Sequence, residues 1–189
     1  MGRIVVTEFV SVDGVAEGPG GDNNFKYGAW TFEYDRGDEG NQFKLDETTN
    51  SDALLLGRNT YEGFATAWPD RDDAFAKKFN TMPKYVISST LQDPDWNNTT
   101  VIGNDPVDGA KQARDRHEGD VVVHGSLTLA QALLDADLVD QLNLMVFPVA
   151  LGYGKKLFAD TSDKRPLKLA DSKIVGDGVA ILLYQAARD

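Results

Sequence analysis

The sequence predicts an α/β protein with a mostly parallel central sheet that ends in a C-terminal antiparallel hairpin. Apolar runs of strand length alternate with helix-like stretches along the chain, and several of these runs are continuously apolar, as in strands buried on both faces. The last two strand-like segments flank a glycine-rich turn. No linker or repeat divides the 189 residues, so we expect one domain over residues 1–189.

Six strands are predicted from short apolar runs that precede the hairpin. In chain order they are Arg3–Val12, Ala53–Leu56, Tyr85–Ser88, Thr100–Ile102, Val121–His124 and Leu142–Val149. The hairpin itself is predicted from Leu167–Val175 and Val179–Ala186, which flank Gly176-Asp177-Gly178.

Helix start signals lie between the strands. The spacings Asn59 to Glu62 and Thr128 to Gln131 match capping boxes, and Asp105-Pro106 matches an N-cap followed by a first-turn proline. The resulting order of strand, helix, strand, helix is typical of an α/β sandwich.

Composition restricts the partners. With 19 Lys and Arg against 30 Asp and Glu, the net charge of -11 repels phosphate backbones and anionic lipids, so we expect no nucleic-acid partner. The absence of cysteine excludes disulfides and thiolate chemistry, and two histidines leave little for a metal centre, so no metal is expected. No apolar run has the length of a membrane span or export signal, so we expect a cytoplasmic protein without a membrane partner.

Two junctions between a strand and a helix suit anion binding. In the first, Gly57 lets a ligand approach the backbone, Arg58 adds a planar cation, and the helix start offers free N–H donors. The alternative is that Gly57 shapes a tight turn and Arg58 pairs with a surface carboxylate. The second junction places Gly125-Ser126 before a helix start at Leu127-Thr128, with the same free donors.

A third anion-binding segment ends the strand before residue 90. Ser88, Ser89 and Thr90 carry hydroxyls that can donate to phosphate oxygens. Ligands in open α/β sheets bind beyond the carboxyl ends of strands, so three such segments at one edge predict a phosphorylated ligand. The chain has neither a Gly-x-Gly-x-x-Gly motif nor a Walker lysine loop.

The segment after the first strand supplies candidate substrate residues. Asp13 either fixes its own loop or touches a ligand. Trp30 and Phe32, within Phe25-x-Tyr27-x-x-Trp30-x-Phe32, either roof a cleft or pack beneath a long loop; the preceding Gly18-Pro19-Gly20-Gly21 favours a lid.

Taken together, these motifs resemble the dihydrofolate reductase-like fold, and within it the C-terminal reductase domain of the bifunctional riboflavin-biosynthesis deaminase/reductase. The matching segments are Ser11 to Gly14, Leu56 to Tyr61, Lys84 to Thr90, His124 to Ser126 and Leu138 to Gly154. The resemblance implies a three-layer sandwich with NADPH across the carboxyl edge of its sheet.

The resemblance also implies which residues hold the cofactor and the substrate. Cofactor phosphates would lie on Gly57, Arg58, Thr60, Ser88, Ser89 and Thr90, and the pyrophosphate on Gly125, Ser126, Leu127 and Thr128. With the phosphates at these strand ends, we expect the nicotinamide near the end of the first strand, around Val10 to Ala16, with Val15 and Ala16 as cofactor residues. Its open side would face the segment from Tyr27 to Phe32, and the candidate substrate residues are Asp13, Trp30 and Phe32.

Two departures from the resemblance leave the function open. Related proteins commonly have two glycines where this chain has Gly125-Ser126, and the carboxylate of folate reductases would fall near Asn41. One interpretation is an NADPH-dependent reductase of a small heteroaromatic or ribityl-type substrate, and the alternative is a non-catalytic nucleotide- or small-molecule-binding protein. The sequence identifies no catalytic residue.

A homodimer is expected from apolar surface. The segments Leu142–Val149 and Ala180–Tyr184 carry more apolar side chains than one sheet edge covers, and the resemblance points to the same assembly.

Overall fold

A computed structural model describes residues 1–21, 24–103, 105–158 and 164–187. Within these ranges the strands are β1 (Arg3–Ser11), β2 (Ser51–Gly57), β3 (Lys84–Ile87), β4 (Thr99–Val101), β5 (Asp120–His124), β6 (Gln141–Phe147), β7 (Leu167–Val175) and β8 (Val179–Ala186). The α-helices are α1 (Gly37–Thr49), α2 (Arg58–Ala67), α3 (Ala74–Thr81), α4 (Pro106–Arg114) and α5 (Leu127–Asp135), and a 3₁₀ turn covers Trp30–Glu33. None of the described helices is both long enough and apolar enough to span a bilayer.

The strands form one sheet in the order β4-β3-β2-β5-β1-β6-β8-β7. β2 runs parallel to β3 and β5, and β3 runs parallel to β4. β8 runs antiparallel to β6 and β7, with Leu182 opposite Leu144 on β6 and opposite Ser172 on β7. The predicted mostly parallel sheet with a C-terminal antiparallel hairpin is confirmed.

The contacts within the chain divide it into two compact units. The first unit consists of Met1–Val6 and Lys44–Val139, and the second consists of Thr7–Phe43 and the chain from Asp140 onward. Strand β1 contributes residues to both units. The single domain over residues 1–189 stays a prediction.

An aromatic cluster fills the core of the first unit. Tyr61, Phe79 and Trp96 are buried beside the apolar side chains of β2 and β5. Lys84 is fully buried there as well; its Nζ donates to the carbonyls of Met82 (2.9 Å) and Asn97 (2.8 Å) and lies 4.5 Å from the Trp96 ring centre. The carbonyls and the ring face compensate part of the lost hydration of this ammonium group.

Phe147 at the end of β6 is the centre of the second unit's core. The rings of Phe9, Trp30 and Tyr34 meet it edge-on, with centroid separations of 5.5, 5.5 and 6.1 Å. Edge-to-face contacts of this kind add to the free energy gained by burying the rings.

Both capping-box predictions are wrong. Helix α2 begins at Arg58 with Gly57 as N-cap, and α5 begins at Leu127 with Ser126 as N-cap, so Asn59 and Thr128 lie inside the helices. The helices follow β2 and β5 almost at once, so no turn is left in which Asn59 or Thr128 could act as a cap.

Two of the remaining helix starts are capped by aspartate. The N-cap at Asp105 is confirmed, since its Oδ1 accepts from the Asp108 amide at 2.8 Å. Helix α3, which the sequence did not predict, is capped in the same way by Asp73, whose Oδ1 accepts from the Ala76 amide at 3.0 Å.

Candidate functional site

In the first unit, the turns that lead into α2 and α5 are joined by two hydrogen bonds. The Gly57 amide donates to Ser126 Oγ at 2.9 Å, and the Ser126 amide donates to Thr60 Oγ1 at 3.0 Å. Gly125 and Ser126 both have left-handed backbones, with φ of 58° and 57°. Because β2 and β5 are neighbours in the sheet, their carboxyl ends bring these two turns together.

The beginnings of α2 and α5 keep their amide donors free. Neither helix has a side-chain cap, and the amides of Asn59, Leu127 and Thr128 have no acceptor among the described residues. The positive ends of two helix dipoles therefore lie close together with unsatisfied N–H groups. This is the arrangement that binds phosphate at helix N-termini.

Arg58 stands between the two interpretations that its sequence context left open. Its Nε donates to Glu62 Oε1 at 2.7 Å, and its Nη1 donates to Thr90 Oγ1. Both members of the Arg58–Glu62 pair are nearly half exposed, so the ion pair contributes little to stability and an anion could replace it at low cost. The structure thus brings Arg58 and Thr90 together, as predicted, but also pairs Arg58 with a carboxylate.

The other hydroxyl residues of this segment differ in role. Ser88 Oγ accepts from the amides of Thr90 (3.2 Å) and Leu91 (3.0 Å), so it shapes the turn that carries Thr90. Ser89 is exposed. Cofactor contact by Ser88 and Ser89 stays a prediction.

The donor set of the first unit fits the phosphates of a nicotinamide cofactor. Backbone amides, a guanidinium and the hydroxyls of Thr60 and Thr90 are the groups that bind phosphate oxygens. A Cβ added at Gly57 would lie 3.7 Å from Ser126 Oγ, and one added at Gly125 would lie 3.6 Å from Thr60 Cγ2, both ordinary contact distances. At Gly125 the left-handed backbone, with φ of 58°, favours glycine. The Ser126 hydroxyl accepts from the Gly57 amide, so this side chain is engaged by the chain itself.

In the second unit, Asp13 holds two loops together. Its carboxylate accepts from Ser11 Oγ (2.6 Å) and from the amides of Leu151 (3.0 Å) and Gly152 (2.8 Å). These hydrogen bonds, above all the one from Ser11, lower the pKa of Asp13 to about 2. The loop-fixing role is present in the structure, and substrate contact by Asp13 stays a prediction.

Val15 and Ala16 also belong to the second unit, whereas the other predicted cofactor residues belong to the first. Both side chains are buried. The Val15 amide donates to Ser11 Oγ and the Ala16 amide to the Lys155 carbonyl, each at 2.9 Å. Their amides are therefore engaged within the chain, and their part in cofactor binding stays a prediction.

The two aromatic residues predicted to contact substrate have different surroundings. Trp30 is 2% exposed, and its Nε1 donates to the Glu17 carbonyl at 2.9 Å, so it packs in the core as the alternative interpretation had it. Phe32 is 76% exposed. The glycine-rich segment before them is tied down, since the Gly18 carbonyl accepts from the Ala29 amide at 2.8 Å and the Pro19 carbonyl from Thr31 Oγ1 at 2.6 Å.

Phe32 borders an open pocket of about 310 Å³ in the second unit. The pocket is lined by Thr31, Phe32, Tyr34, Asp35, Arg36, Asn41 and Phe147. Asn41, where folate reductases were expected to carry a carboxylate, accepts from Arg36 Nε at 2.7 Å. Sequence reasoning missed Arg36; its only signal is a single cation within the acidic stretch Asp35-Arg36-Gly37-Asp38-Glu39.

The sheet order and the C-terminal hairpin place the protein in the class of α/β proteins with the dihydrofolate reductase fold. The chain belongs to the RibD C-terminal domain family, whose model matches residues 3–182.

Several solved structures share this fold. A protein from Shewanella sp. PV-4, provisionally named for riboflavin biosynthesis, is 20% identical and covers 98% of this chain and 99% of its own, with a TM-score of 0.78. A pyrimidine reductase-like protein from Corynebacterium diphtheriae is 14% identical, covers 99% and 92%, and has a TM-score of 0.64. RibD of Acinetobacter baumannii is 16% identical, with a TM-score of 0.67. The match covers 99% of this chain but only 58% of the RibD chain.

A curated relative of similar length comes from Bacillus subtilis (strain 168). The uncharacterised protein YyaP is 25% identical over 187 residues, which cover 96% of this chain and 94% of YyaP. The similarity therefore extends over nearly the whole chain.

Proposed function

We propose that this protein is an NADPH-dependent reductase of a small heteroaromatic or ribityl-type substrate. The observation that carries the proposal is the pair of uncapped helix N-termini at α2 and α5, joined through Ser126, in a chain whose net charge of -11 otherwise repels anions. Membership in the RibD C-terminal domain family supports the same activity.

The first unit would hold the phosphates of the cofactor. Amides at the starts of α2 and α5 would donate to phosphate oxygens, and Arg58 would exchange its exposed partner Glu62 for a phosphate. Arg58 and Thr90 offer donors beyond those a pyrophosphate needs, which favours a cofactor with an additional 2′-phosphate. When bound, NADPH supplies the hydride, and the protein supplies orientation and exclusion of water.

The pocket of the second unit would hold the planar substrate. Phe32 and Phe147 offer ring faces and edges, and Asn41 offers an amide that can hydrogen-bond a heteroaromatic ring. Among the lining residues, Tyr34 and Asp35 have the side-chain types that serve as general acids, which makes them the candidates for protonating the substrate. Asp35 Oδ1 accepts from the Gly37 amide at 2.7 Å, which leaves Oδ2 for this task.

A non-catalytic binding protein is the second candidate. Two observations favour it: Arg58 already has a carboxylate partner, and Asn41 cannot deliver a proton as a carboxylic acid would. Both candidates predict binding of a phosphorylated ligand, so turnover separates them.

Absorbance loss from NADPH across a panel of pterins, flavin precursors and quinoid acceptors tests the proposal. We expect turnover with at least one planar acceptor, tighter binding of NADPH than of NADH, and an Arg58→Ala variant that binds NADPH about 10- to 100-fold more weakly, as loss of a charged hydrogen bond implies. Arg114→Ala is the matched control, because Arg114 also pairs with a neighbouring carboxylate, Asp115, but lies far along the chain on α4. NADPH binding without turnover would leave the binding-protein candidate, and unchanged affinity in Arg58→Ala would overturn the phosphate assignment.

A further inference from the structure

We propose that the pocket beside Phe32 and Arg36 binds an aromatic anion, with its carboxylate or phosphate on the Arg36 guanidinium and its ring against the aromatic wall. The claim that this ligand is the substrate rests on the proposed function, whereas the claim that the pocket binds it does not. Its volume of about 310 Å³ lies at the lower end of small-molecule sites, which suits one or two fused rings.

The main argument is that Arg36 is a half-buried cation without an anionic partner. Its Nε donates to Asn41 Oδ1 at 2.7 Å and its Cζ lies 5.3 Å from the Phe9 ring centre, but no carboxylate of the described residues pairs with it. Its terminal nitrogens Nη1 and Nη2 have no acceptor within the described ranges, and burial lowers the pKa of Arg36. A partly dehydrated guanidinium of this kind gains free energy from a bidentate anion.

The neighbouring carboxylates make other contacts and do not pair with Arg36. Asp35 Oδ1 accepts from the Gly37 amide at 2.7 Å, and Asp177 Oδ2 accepts from the Asp35 amide at 2.8 Å. Glu39 pairs with Lys173 at 2.9 Å. Arg36 therefore keeps its terminal nitrogens available for an external anion.

The guanidinium is also held in position before any ligand binds. Asn41 fixes Nε, Phe9 supports the group through a cation–π contact, and Gly40 borders the aliphatic stem, where an added Cβ would lie 2.9 Å from Arg36 Cβ. A preorganised donor pair loses less entropy on binding, so affinity can come from one arginine.

The remaining wall of the pocket is aromatic. Phe32 is 76% exposed at its edge, and Phe147 and Tyr34 complete the apolar side. A large exposed phenyl ring beside an unpaired guanidinium recognises both parts of an aromatic anion. A simple inorganic anion would use only the guanidinium, which distinguishes the proposed ligand class from phosphate alone.

Calorimetric titration of the full chain without nicotinamide cofactor tests the inference. The probes are 2-naphthoate, 2-naphthyl phosphate, the neutral 2-naphthamide and inorganic phosphate. We expect at least one of the two aromatic anions to bind, and the tighter of them identifies the preferred anionic group. The amide and inorganic phosphate should bind at least about tenfold more weakly.

Variants assign the binding to Arg36. Arg36→Gln should weaken the aromatic anion about 10- to 100-fold and leave the amide unchanged, and Arg36→Lys should restore part of the affinity because it keeps the charge without the fork. Arg71→Gln is the matched control, because Arg71 also stacks on a ring, that of Trp68 at 4.5 Å, in the first unit. Circular dichroism of each variant shows whether it is folded.

Three results would overturn the inference: equal binding of naphthoate and naphthamide, unchanged affinity in a folded Arg36→Gln variant, or no binding of any aromatic probe to the wild type at millimolar concentration. Failure of the proposed function looks different. Naphthoate binding that depends on Arg36, without NADPH oxidation by any acceptor, would remove the reductase and keep the anion site.

Discussion

The bond between Ser126 and Gly57 leads to a prediction that separates backbone strain from hydrogen bonding. Ser126 has φ of 57° and ψ of 48°, a left-handed backbone that costs a residue with a Cβ about 1–2 kcal/mol relative to glycine. Its Oγ, partly buried, accepts from the Gly57 amide at 2.9 Å, which contributes about 0.5–1.5 kcal/mol. The strain and the hydrogen bond are therefore of similar size.

Two substitutions resolve these contributions. Ser126→Ala loses the hydrogen bond and keeps the strain, so we expect the free energy of unfolding to fall by about 1 kcal/mol. Ser126→Gly loses the same bond but releases the strain, so its stability should stay close to that of the wild type. The free energy of unfolding of Ser126→Gly should therefore exceed that of Ser126→Ala by about 1 kcal/mol.

Urea unfolding of the three proteins, followed by far-ultraviolet circular dichroism, measures the differences. Equal stabilities of the alanine and glycine variants would refute the account of strain, and an alanine variant as stable as the wild type would refute the contribution of the hydrogen bond. Titration of the same proteins with NADPH adds a functional comparison, since Ser126→Gly frees the Gly57 amide for a phosphate and should not weaken the cofactor.

Four further predictions concern buried charge, a turn and assembly. Burial and the nearby Lys44 ammonium lower the pKa of His124 well below its usual value of 6.5, so between pH 7 and about pH 5.5 the unfolded state binds a proton that the native state does not bind. The free energy of unfolding should therefore fall by about 1 kcal/mol over this range in the wild type but not in His124→Gln, as measured by urea unfolding. Burial lowers the pKa of Lys84 to about 8 from 10.5, so stability should rise with pH between these values by up to about 3 kcal/mol, and the difference between wild type and Lys84→Met across this range isolates that rise. Gly176→Ala should lower the melting temperature far more than Gly63→Ala, a helical glycine whose Cβ would meet nothing, and similar melting temperatures would contradict the close approach at the turn. We also predict a homodimer, now from Leu169 and Ile174, which are 48% and 66% exposed on edge strand β7; sedimentation of a single species at 20.7 kDa at micromolar concentration would contradict it.

The parts of the fold that the sequence predicted depend on local chemistry. The hairpin of β7 and β8 has a glycine turn between two strand-like segments, and the observed strands have the predicted bounds. The N-cap at Asp105 acts on an amide three residues away. Such features depend on neighbours in the chain, so a sequence reader can identify them.

The parts that the sequence did not predict depend on distant contacts. The cap of α5 could not be recognised because the Ser126 hydroxyl bonds Gly57, 69 residues earlier, and not its own helix. Helix α1 carries few apolar residues at helical spacing, so its pattern is weak. The homodimer prediction rested partly on apolar residues of β6, but Leu142, Met145 and Phe147 are buried within the chain.

The pocket beside Phe32 and Arg36 also depends on a contact between segments that are distant in the sequence. Its arginine lies in an acidic stretch with no motif, and what holds that stretch is the turn between β7 and β8, some 140 residues later. Prediction from sequence would have required pairing these two segments.

The turn between β7 and β8 also links the end of the sheet to the pocket. A Cβ at Gly176 would lie 2.0 Å from the Asp35 carbonyl oxygen and 2.6 Å from Arg36 Cα, and the Asp177 amide donates to that same carbonyl at 2.7 Å. Because the backbone of Asp35 and Arg36 is fixed by this turn, local opening of the hairpin releases the guanidinium as well. We therefore expect a ligand on Arg36 to favour the closed hairpin and to slow amide hydrogen exchange at Asp177 by the same factor.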